Sequence, residues 1–260
     1  MKTQYYNVLL TALAVIILLP SCNDSIHQPD TDERDLIKDN PTFYHFGLDK
    51  SIRKYSFTVS EINMATNKPT YYPHDSVKSS IQYPESLYSK GIFVYGTMEE
   101  TIDIVGDTMT IRQRDYGHNL FAILNNPGTD GASGGFSQQS FFADSGAVYN
   151  LYGLTGQHPS KTLLYKIPFV VGDSYTIYLD TITVTGIVDL QTKAGLFAAT
   201  EIVKQKYISA EYRLIEKLYI VSNIGICRHE LRYIEQKKDP VSGKSYSVEQ
   251  VQRYELTGYK

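Results

Sequence analysis

Tryptophan is absent from this chain, cysteine occurs only twice, and the net charge is small. Tryptophan is the usual stacking platform of carbohydrate-binding faces, so a glycan site would have to rely on tyrosine instead. The formal net charge of -3, with no basic run, argues against nucleic acid and anionic lipid as electrostatic partners. We therefore expect no nucleic-acid partner.

Motifs for metal binding and nucleophilic catalysis are also missing. The histidines lie singly, without a second ligand at metal-binding spacing, at His27, His45, His74, His118, His158 and His229. Ser133 and Ser145 lie in glycine-rich stretches, but neither stands in a Gly-x-Ser-x-Gly elbow that leads into a helix. The loop 128–131 has one carboxylate, too few for calcium. The sequence thus predicts no metal, no cofactor and no catalytic residue.

Carboxylates on separate strands can still meet in space, which keeps a hydrolase as an alternative. The acids that could take part are Glu99, Glu100, Asp103, Asp115 and Glu201. Arg112 and Arg114 alternate along one predicted strand, so they share a face that could grip a carboxylate or a phosphate. An exposed face on which each arginine pairs with an acid is the commoner arrangement, and we expect it here.

Cys22 is the most informative residue that is present. It follows Leu19-Pro20-Ser21 and an apolar run over 8–19, with Lys2 at the start of the chain. This run is too short to span a bilayer and fits the hydrophobic region of a secretory leader. The pattern resembles a bacterial lipoprotein signal peptide over residues 1–21, which implies that the mature chain starts at Cys22 and carries lipid, palmitate included, on that cysteine.

Residues 22–41 predict a flexible acidic tether. The segment holds six acidic and two basic side chains, two prolines and no apolar periodicity: Asp24, Asp30, Asp32, Glu33, Asp35, Asp39, Arg34, Lys38, Pro29 and Pro41. An acidic stretch after the lipidated cysteine resembles the export signal of Bacteroides-type lipoproteins, although a plain solvated linker has the same composition. The expected location is the outer membrane of a Gram-negative bacterium, on its periplasmic or its cell-surface face.

Lipidation of Cys22 would leave Cys227 without a partner for a disulfide. The chain then has no disulfide framework, so its folded part must depend on an apolar core. Cys227 stands in Asn223-Ile224-Gly225-Ile226-Cys227-Arg228, where we expect a small buried strand residue and a bulge or close backbone approach at Gly225.

Residues 42–260 predict one antiparallel β domain. The 22 tyrosines, ten phenylalanines and many β-branched residues favour strands, and glycine, asparagine, aspartate and proline separate short alternating segments. We expect about twelve strands with little helix, in a single curved sheet or half-open barrel. The segments are 55–62, 91–95, 101–105, 108–111, 119–124, 136–142, 147–154, 162–169, 174–179, 181–188, 197–203, 211–221, 224–234 and 246–256.

Some of these segments are less distinct than others. Residues 73–90 have no clear pattern, 125–135 reads as a loop with proline and four glycines, and 211–221 also fits an amphipathic helix. Gly106-Asp107 predicts a tight hairpin, and 238–244 predicts the turn of a long one.

The C-terminal half carries four segments in a suggestive order. They are Leu164–Tyr175 with Pro168-Phe169-Val170-Val171-Gly172-Asp173-Ser174-Tyr175, then Val184-Thr185-Gly186 with Ala194–Ala199, then Tyr219–Glu230, and Tyr254–Tyr259. This order resembles a class of secreted lipoproteins related to the periplasmic lipoprotein-carrier superfamily. The chain departs from that class at Ile226-Cys227-Arg228, in place of Leu-Val-Lys, and at Tyr175, in place of Trp. The resemblance implies a half-open barrel that holds an acyl chain.

Aromatic residues form the last constellation, and they suit either a plain core or a cleft for sugar or lipid. They are Tyr71, Tyr72, Tyr83, Tyr88, Phe93, Tyr95, Phe136, Phe141, Phe142, Tyr149 and Tyr152. Phe141 and Phe142 are adjacent, so their rings must lie on opposite faces of a strand, and both faces must be covered. Three functions follow as hypotheses: a non-enzymatic lipoprotein that binds a hydrophobic or polymeric ligand, a surface glycan-binding or adhesion module, and a hydrolase with acids assembled across strands.

Replacing Cys22 by alanine should release the protein from the membrane fraction, because the lipid is the predicted attachment. Cell fractionation with immunodetection measures this. A Cys22→Ala variant that still sediments with membranes would show that something other than lipid retains the chain.

Overall fold

The strands of this protein form one continuous antiparallel sheet. A computed structural model describes residues 46–78, 82–126, 131–144, 146–152, 160–209, 212–239 and 241–260. Within them lie three short helices, α1 Asp75–Lys78, α2 Glu85–Tyr88 and α3 Leu120–Asn125. The strands are β1 Ile52–Asn63, β2 Lys68–Pro69, β3 Ile92–Val105, β4 Thr108–Asn119, β5 Ala132–Ala143, β6 Ala147–Tyr152, β7 Ser160–Lys166, β8 Ser174–Ile177, β9 Asp180–Thr192, β10 Gly195–Ser209, β11 Tyr212–Val221, β12 Gly225–Lys238 and β13 Ser245–Tyr259.

The sheet order is nearly circular. Neighbours run β7-β6-β5-β4-β3-β1-β13-β12-β11-β10-β9-β8, with the short β2 added beside β1. The first long strand therefore pairs with the last: Tyr55 lies opposite Leu256, and Ile52 and Lys260 exchange backbone hydrogen bonds of 2.8 and 3.0 Å. The twelve-stranded sheet is nearly closed into a barrel, which confirms the predicted fold class.

One seam stays unsealed, between β7 and β8. These strands are consecutive in the chain, joined by residues 167–173, but they stand at opposite ends of the sheet order. Side chains bridge the seam next to residues 167–173. There the Tyr175 hydroxyl accepts a hydrogen bond of 3.0 Å from the Lys166 backbone N–H. Tyr165 and Ile177, one from each edge strand, belong to the same buried cluster. Apolar packing thus holds the two edges together here.

Two buried clusters fill most of the interior. The larger one combines residues from both halves of the chain, among them Phe46, Ile102, Met109, Ile182 and Leu218. The second contains Tyr55, Met98, Leu190, Phe197, Ala199, Val221, Ile224, Cys227 and Leu256. Cys227 is fully buried at a register shift between β11 and β12, as expected, and burial raises the pKa of its thiol to about 12.

A third cluster surrounds the short helices. Tyr83 and Tyr88 stack with ring centroids 5.1 Å apart, and they pack with Leu120 and Ile123 of α3. Because α2 precedes β3 and α3 follows β4, this cluster lies where β1 ends at Asn63. We call this the Glu61 end of the barrel. The opposite end, where β1 begins, is the Phe46 end.

At the Glu61 end a buried carboxylate is fully engaged. Glu61 is 1% exposed and contacts Lys237 Nζ at 2.8 and 3.0 Å, while Thr70 Oγ1 donates to it at 2.9 Å. The Gln250 side-chain amide, on the strand between them, lies 3.4 Å from the carboxylate. Side chains of β1 and β12 thus meet across β13, which requires strong curvature of the sheet.

Three local predictions from sequence need correction. Residues 119–124 form a helix and not a strand, because the Asn119 side chain caps it by accepting from the Phe121 N–H at 2.9 Å. The predicted strands 91–95 and 101–105 are parts of one long strand, β3. Part of the predicted loop 125–135 is strand, because β5 begins at Ala132 and its glycines pair with β4.

Other local predictions are confirmed. Gly106-Asp107 turns between β3 and β4, and residues 212–221 form a strand rather than a helix. Among the residues described, no helix has the length and apolar character needed to cross a membrane.

Replacing Arg53 by methionine should lower the free energy of unfolding by about 3–5 kcal/mol, because the buried Glu100 carboxylate would lose its cation. Arg53 Nη2 lies 2.7 Å from Glu100 Oε2, and both side chains are less than 10% exposed. Lys54→Met is the matched control, since Lys54 faces the exposed Glu99 at 3.7 Å and its loss should cost under about 0.5 kcal/mol.

Urea denaturation followed by circular dichroism measures both variants. The double variant Arg53→Met/Glu100→Met should recover part of the loss. Equal effects of Arg53→Met and Lys54→Met would contradict the assigned role of the buried pair.

Candidate functional site

An interior cavity of about 380 Å³ is the candidate site. Strands from both halves of the sheet line it, together with Phe46 from the segment before β1. Its apolar wall includes Phe46, Tyr55, Met98, Met109, Phe141, Val148, Leu164, Tyr165, Leu218 and Tyr254. Its polar wall includes Arg53, Glu100, Gln113, Asp115, Gln139, Asn150, Lys204, Glu216 and His229. A cavity of this kind suits a molecule with an apolar body and a polar group.

Part of the polar wall is a hydrogen-bonded ladder across four strands. Arg53 lies opposite Glu100, Glu100 opposite Gln113, and Gln113 opposite Ser137. Gln113 Nε2 donates to Glu100 Oε1 at 2.7 Å, and Ser137 Oγ donates to Gln113 Oε1 at 2.8 Å. With the ion pair to Arg53, both Glu100 oxygens have partners. The ladder therefore satisfies both oxygens of the buried Glu100 carboxylate, although Arg53 Nε has no partner among the residues described.

The Arg53 guanidinium is also fixed at its other edge. Nη1 donates to the backbone carbonyls of Phe46 at 3.0 Å and Ile224 at 3.3 Å. Gly225 has φ +92°, and a Cβ there would lie 2.1 Å from Arg53 Nη1 and 2.4 Å from the Phe46 carbonyl oxygen. Only glycine fits this position, which confirms the close backbone approach predicted at Gly225.

A second polar group lies on the β10–β12 side of the cavity. Lys204 Nζ is 3.1 Å from Asp180 Oδ2 and 3.9 Å from Glu216 Oε2, and His229 Nε2 is 2.8 Å from Glu216 Oε1. Burial opposes ionisation of Glu216, but the hydrogen bond and charge of His229 and the charge of Lys204 outweigh it and lower the pKa of Glu216. Glu216 is thus held as a carboxylate inside the barrel.

Asp115 differs from Glu100, Asp180 and Glu216 because no basic side chain among the residues described pairs with it. Its Oδ1 is buried, and no donor in the described part of the chain lies within hydrogen-bonding distance of it. Burial, followed by the charge of Glu100, raises the pKa of Asp115. Gly135 lies directly opposite on β5, where a Cβ would be 3.7 Å from Asp115 Oδ2. The missing side chain leaves space beside the carboxylate.

Tyr254 lines the same cavity as Asp115. Tyr254 stacks on Phe57 with centroids 5.8 Å apart and on His229 at 6.1 Å. The Phe57 ring covers Gly96 and Gly117, since a Cβ at either glycine would approach it to 2.7 Å. Burial, and next the charge of Asp115, raises the pKa of Tyr254. The carboxylate and the tyrosine therefore share one region of the cavity.

The acids proposed for a hydrolase do not converge as a set. Glu100 and Asp115 both line the cavity. Glu99 pairs with Lys54 on the other face, Asp103 pairs with Lys50 and Arg112, and Glu201 pairs with Lys217 at 3.4 Å and Thr185 at 2.5 Å. The arginine face of β4 is therefore an ordinary ion-paired surface at Arg112, whereas the face that carries Gln113 and Asp115 turns inward.

The histidines are equally dispersed. His229 points to Glu216, while its neighbours Arg228 and Glu230 pair with Glu255 and Arg253 on the other face. His118 stacks on Tyr95. No group of three or more metal-binding side chains occurs among the residues whose placement is described.

Several predicted features lie outside the described residues. These are the leader, the acidic tether, Cys22, His27, His45, His158, Ser145 and the loop positions 128–130. The lipid anchor, the tether and their boundaries therefore stay predictions. Ser133 belongs to β5 rather than to a loop.

The predicted aromatic set divides between the cavity and other places. Phe141 lines the cavity, while Phe142 lies against Tyr149 and under Lys161 Nζ, so the two adjacent rings do take opposite faces. Tyr83, Tyr88, Phe93 and Tyr95 instead surround the short helices. Sequence reasoning missed the cavity residues Arg53, Tyr165, Lys204, Glu216 and Tyr254. The alternation of Tyr55, Phe57 and Val59, extended back by two, would have placed Arg53 inside.

Comparison with solved structures finds several similar chains. One of them is a candidate lipoprotein from Parabacteroides distasonis ATCC 8503, at 11% identity and a TM-score of 0.37, over 84% of this chain and 99% of that chain. No family model and no curated protein matches the sequence. A similarity this low assigns no function.

Replacing Asp115 by asparagine should stabilise the protein at neutral pH. The pKa of Asp115 is higher in the folded protein than in the unfolded chain. The protonated side chain therefore contributes to stability fully below the unfolded pKa, and this contribution is lost as the pH rises through the folded pKa. The asparagine variant should have a free energy of unfolding higher by under about 1 kcal/mol at about pH 8, because Asp115 is partly solvated. This difference should vanish near about pH 4.

Urea unfolding of the native protein and Asp115→Asn at both pH values measures the difference. A variant that is less stable than the native protein at the higher pH would show that the ionised carboxylate has a partner that stabilises it.

Proposed function

We propose that this chain is a membrane-anchored, non-enzymatic lipoprotein that binds an amphiphilic molecule inside its barrel. The observation that carries the proposal is the interior cavity with its mixed lining. Its volume of about 380 Å³ falls in the range of about 300–1,000 Å³ that small-molecule sites occupy. The anchor is Cys22, and the expected location is the outer membrane.

The arrangement of the wall supports an amphiphile rather than a purely apolar ligand. Methionine, leucine and aromatic side chains dominate one part, where an acyl or ring system loses contact with water. Asp115 and the two ion-paired groups supply polar contacts in the same cavity. An acyl chain is the ligand that the resemblance to lipoprotein carriers implies, and the geometry is consistent with its volume and polarity.

Ligand binding explains the interior better than hydrolysis does. A glycosidase needs two carboxylates that can reach the scissile bond. Of the two acids brought together here, Glu100 is held by Arg53 and Gln113 through both oxygens. Only Asp115 is left without a cation among the residues described, so the pair does not offer two free carboxylates.

A glycan-binding surface has weaker support. Stacking on sugar rings requires exposed aromatic rings that share one face. The exposed tyrosines are Tyr72, Tyr116, Tyr178 and Tyr259. They belong to the segment before α1, to β4, to the turn after β8 and to β13, which are not neighbouring elements.

Narrowing the space beside Asp115 should weaken ligand binding. Gly135→Leu places a side chain beside Asp115, where a Cβ meets only Asp115 Oδ2 at 3.7 Å, so the substitution is tolerated sterically at its first carbon. Gly134→Leu is the matched control, because neighbouring strand residues point to opposite faces. The probe is N-phenyl-1-naphthylamine, a neutral apolar dye whose fluorescence rises in apolar surroundings.

The chain to test is residues 22–260 with Cys22→Ser, purified without lipid. Gly135→Leu should weaken dye binding by about tenfold or more, and Gly134→Leu by less than about twofold. Native mass spectrometry of the same chain from its own envelope extract should show a bound small molecule. Absence of dye binding, or equal binding by both leucine variants, would overturn the proposed function.

A further inference from the structure

We infer that the cavity selects amphiphiles with a positively charged nitrogen, which pairs with Asp115. This inference rests on the proposed function and names the ligand class for the same site. It follows from the pairing of charges along the wall and from the space beside one carboxylate.

The first step is the pairing of charges. Two basic side chains line the cavity besides His229, and both already have acidic partners: Arg53 contacts Glu100 at 2.7 Å, and Lys204 contacts Asp180 at 3.1 Å. Neither leaves a cation free for an anionic headgroup. Of the three acids that line the cavity, only Asp115 has no cation within 4.0 Å in the described part of the chain. The wall therefore has one excess negative charge.

The second step is the space around that carboxylate. Asp115 lies between Met98 on β3 and Gly135 on β5, and Gly135 has no side chain to cover it. Its Oδ2 borders this gap, since a Cβ at Gly135 would lie 3.7 Å from it, whereas Oδ1 is shielded from water. A cationic ligand group that donates to Oδ2 would pair with a carboxylate that has no cation among the residues described.

The third step distinguishes an ammonium group from other polar groups. A carboxylate or phosphate headgroup would meet Asp115 and Glu100 as like charges in a poorly solvated site. A hydroxyl donates a neutral hydrogen bond, whereas an ammonium adds charge pairing and a charge-assisted bond. The site thus ranks amine above alcohol above acid.

Three ligands that each have ten carbons but differ in headgroup test this ranking: decylamine, 1-decanol and decanoate. Each displaces N-phenyl-1-naphthylamine from the chain 22–260 with Cys22→Ser, at neutral pH and fixed ionic strength. Decylamine should displace the dye at a concentration at least about tenfold below that of 1-decanol, and decanoate should be the weakest. In Asp115→Asn the advantage of decylamine over 1-decanol should fall to within about twofold, measured as the ratio of the two displacing concentrations in that variant.

Glu99→Gln is the control for a general loss of negative charge. Glu99 lies on β3 next to Glu100, but its side chain is on the outer face, 46% exposed. The variant should keep the preference for decylamine. The inference would be overturned if amine and alcohol displaced the dye equally in the native chain, or if the preference for the amine survived Asp115→Asn. In either case the observed dye binding would leave the proposed function intact. Loss of dye binding by the native chain would instead overturn the proposed function.

Discussion

The pairing of β1 with β13 is the constraint on which the barrel depends. β1 bonds to β3 on one side and to β13 on the other, so it joins the N-terminal strands to the C-terminal strands in a single sheet. Without that pairing the chain would form two separate curved meanders, each with its inner face open to water. With it, residues from both halves line one cavity, and Arg53 on β1 reaches carbonyls of both the preceding segment and the β11–β12 turn. The termini of the domain thus build the centre of the site.

Charged groups inside the barrel are tolerated because the fold supplies their partners in advance. Each member of the ladder from Arg53 to Ser137 lies directly opposite the next, so the sheet register itself sets the hydrogen-bond geometry. Burial makes an incomplete ladder costly, which ties the register of four strands to one set of side chains. Asp115, two residues along β4 from Gln113, is not part of this ladder. Its Oδ1 is buried without a partner among the residues described, which costs stability.

Composition and alternation were sufficient for the fold class because strand formation here follows local rules. Turn residues such as Gly106-Asp107 mark real hairpins, and apolar and polar residues alternate along strands such as β1 and β9. The helix at Leu120–Asn125 escaped this reasoning because its apolar residues suit a short strand equally well, and only the Asn119 cap separates the two structures. The cavity was harder to predict. Its residues come from ten strands, and partners such as Lys204 and Asp180 become neighbours only after the sheet curves. Arg112 and Arg114 lie on the outer face of β4, so a prediction based on them missed the inner face. Alternation along a single strand does not say which face is inside.

The circular strand order also affects how the chain assembles. Most pairings join consecutive strands, and such local contacts form early at small entropic cost. The β1–β13 pairing is different, because its partners lie at the two ends of the domain. As the polypeptide is synthesised, β1 waits as an open edge until the last strand, Ser245–Tyr259, has been made. A newly made chain therefore carries an exposed sheet edge and an unfinished apolar interior for most of its synthesis, and both are surfaces that a chaperone would have to protect.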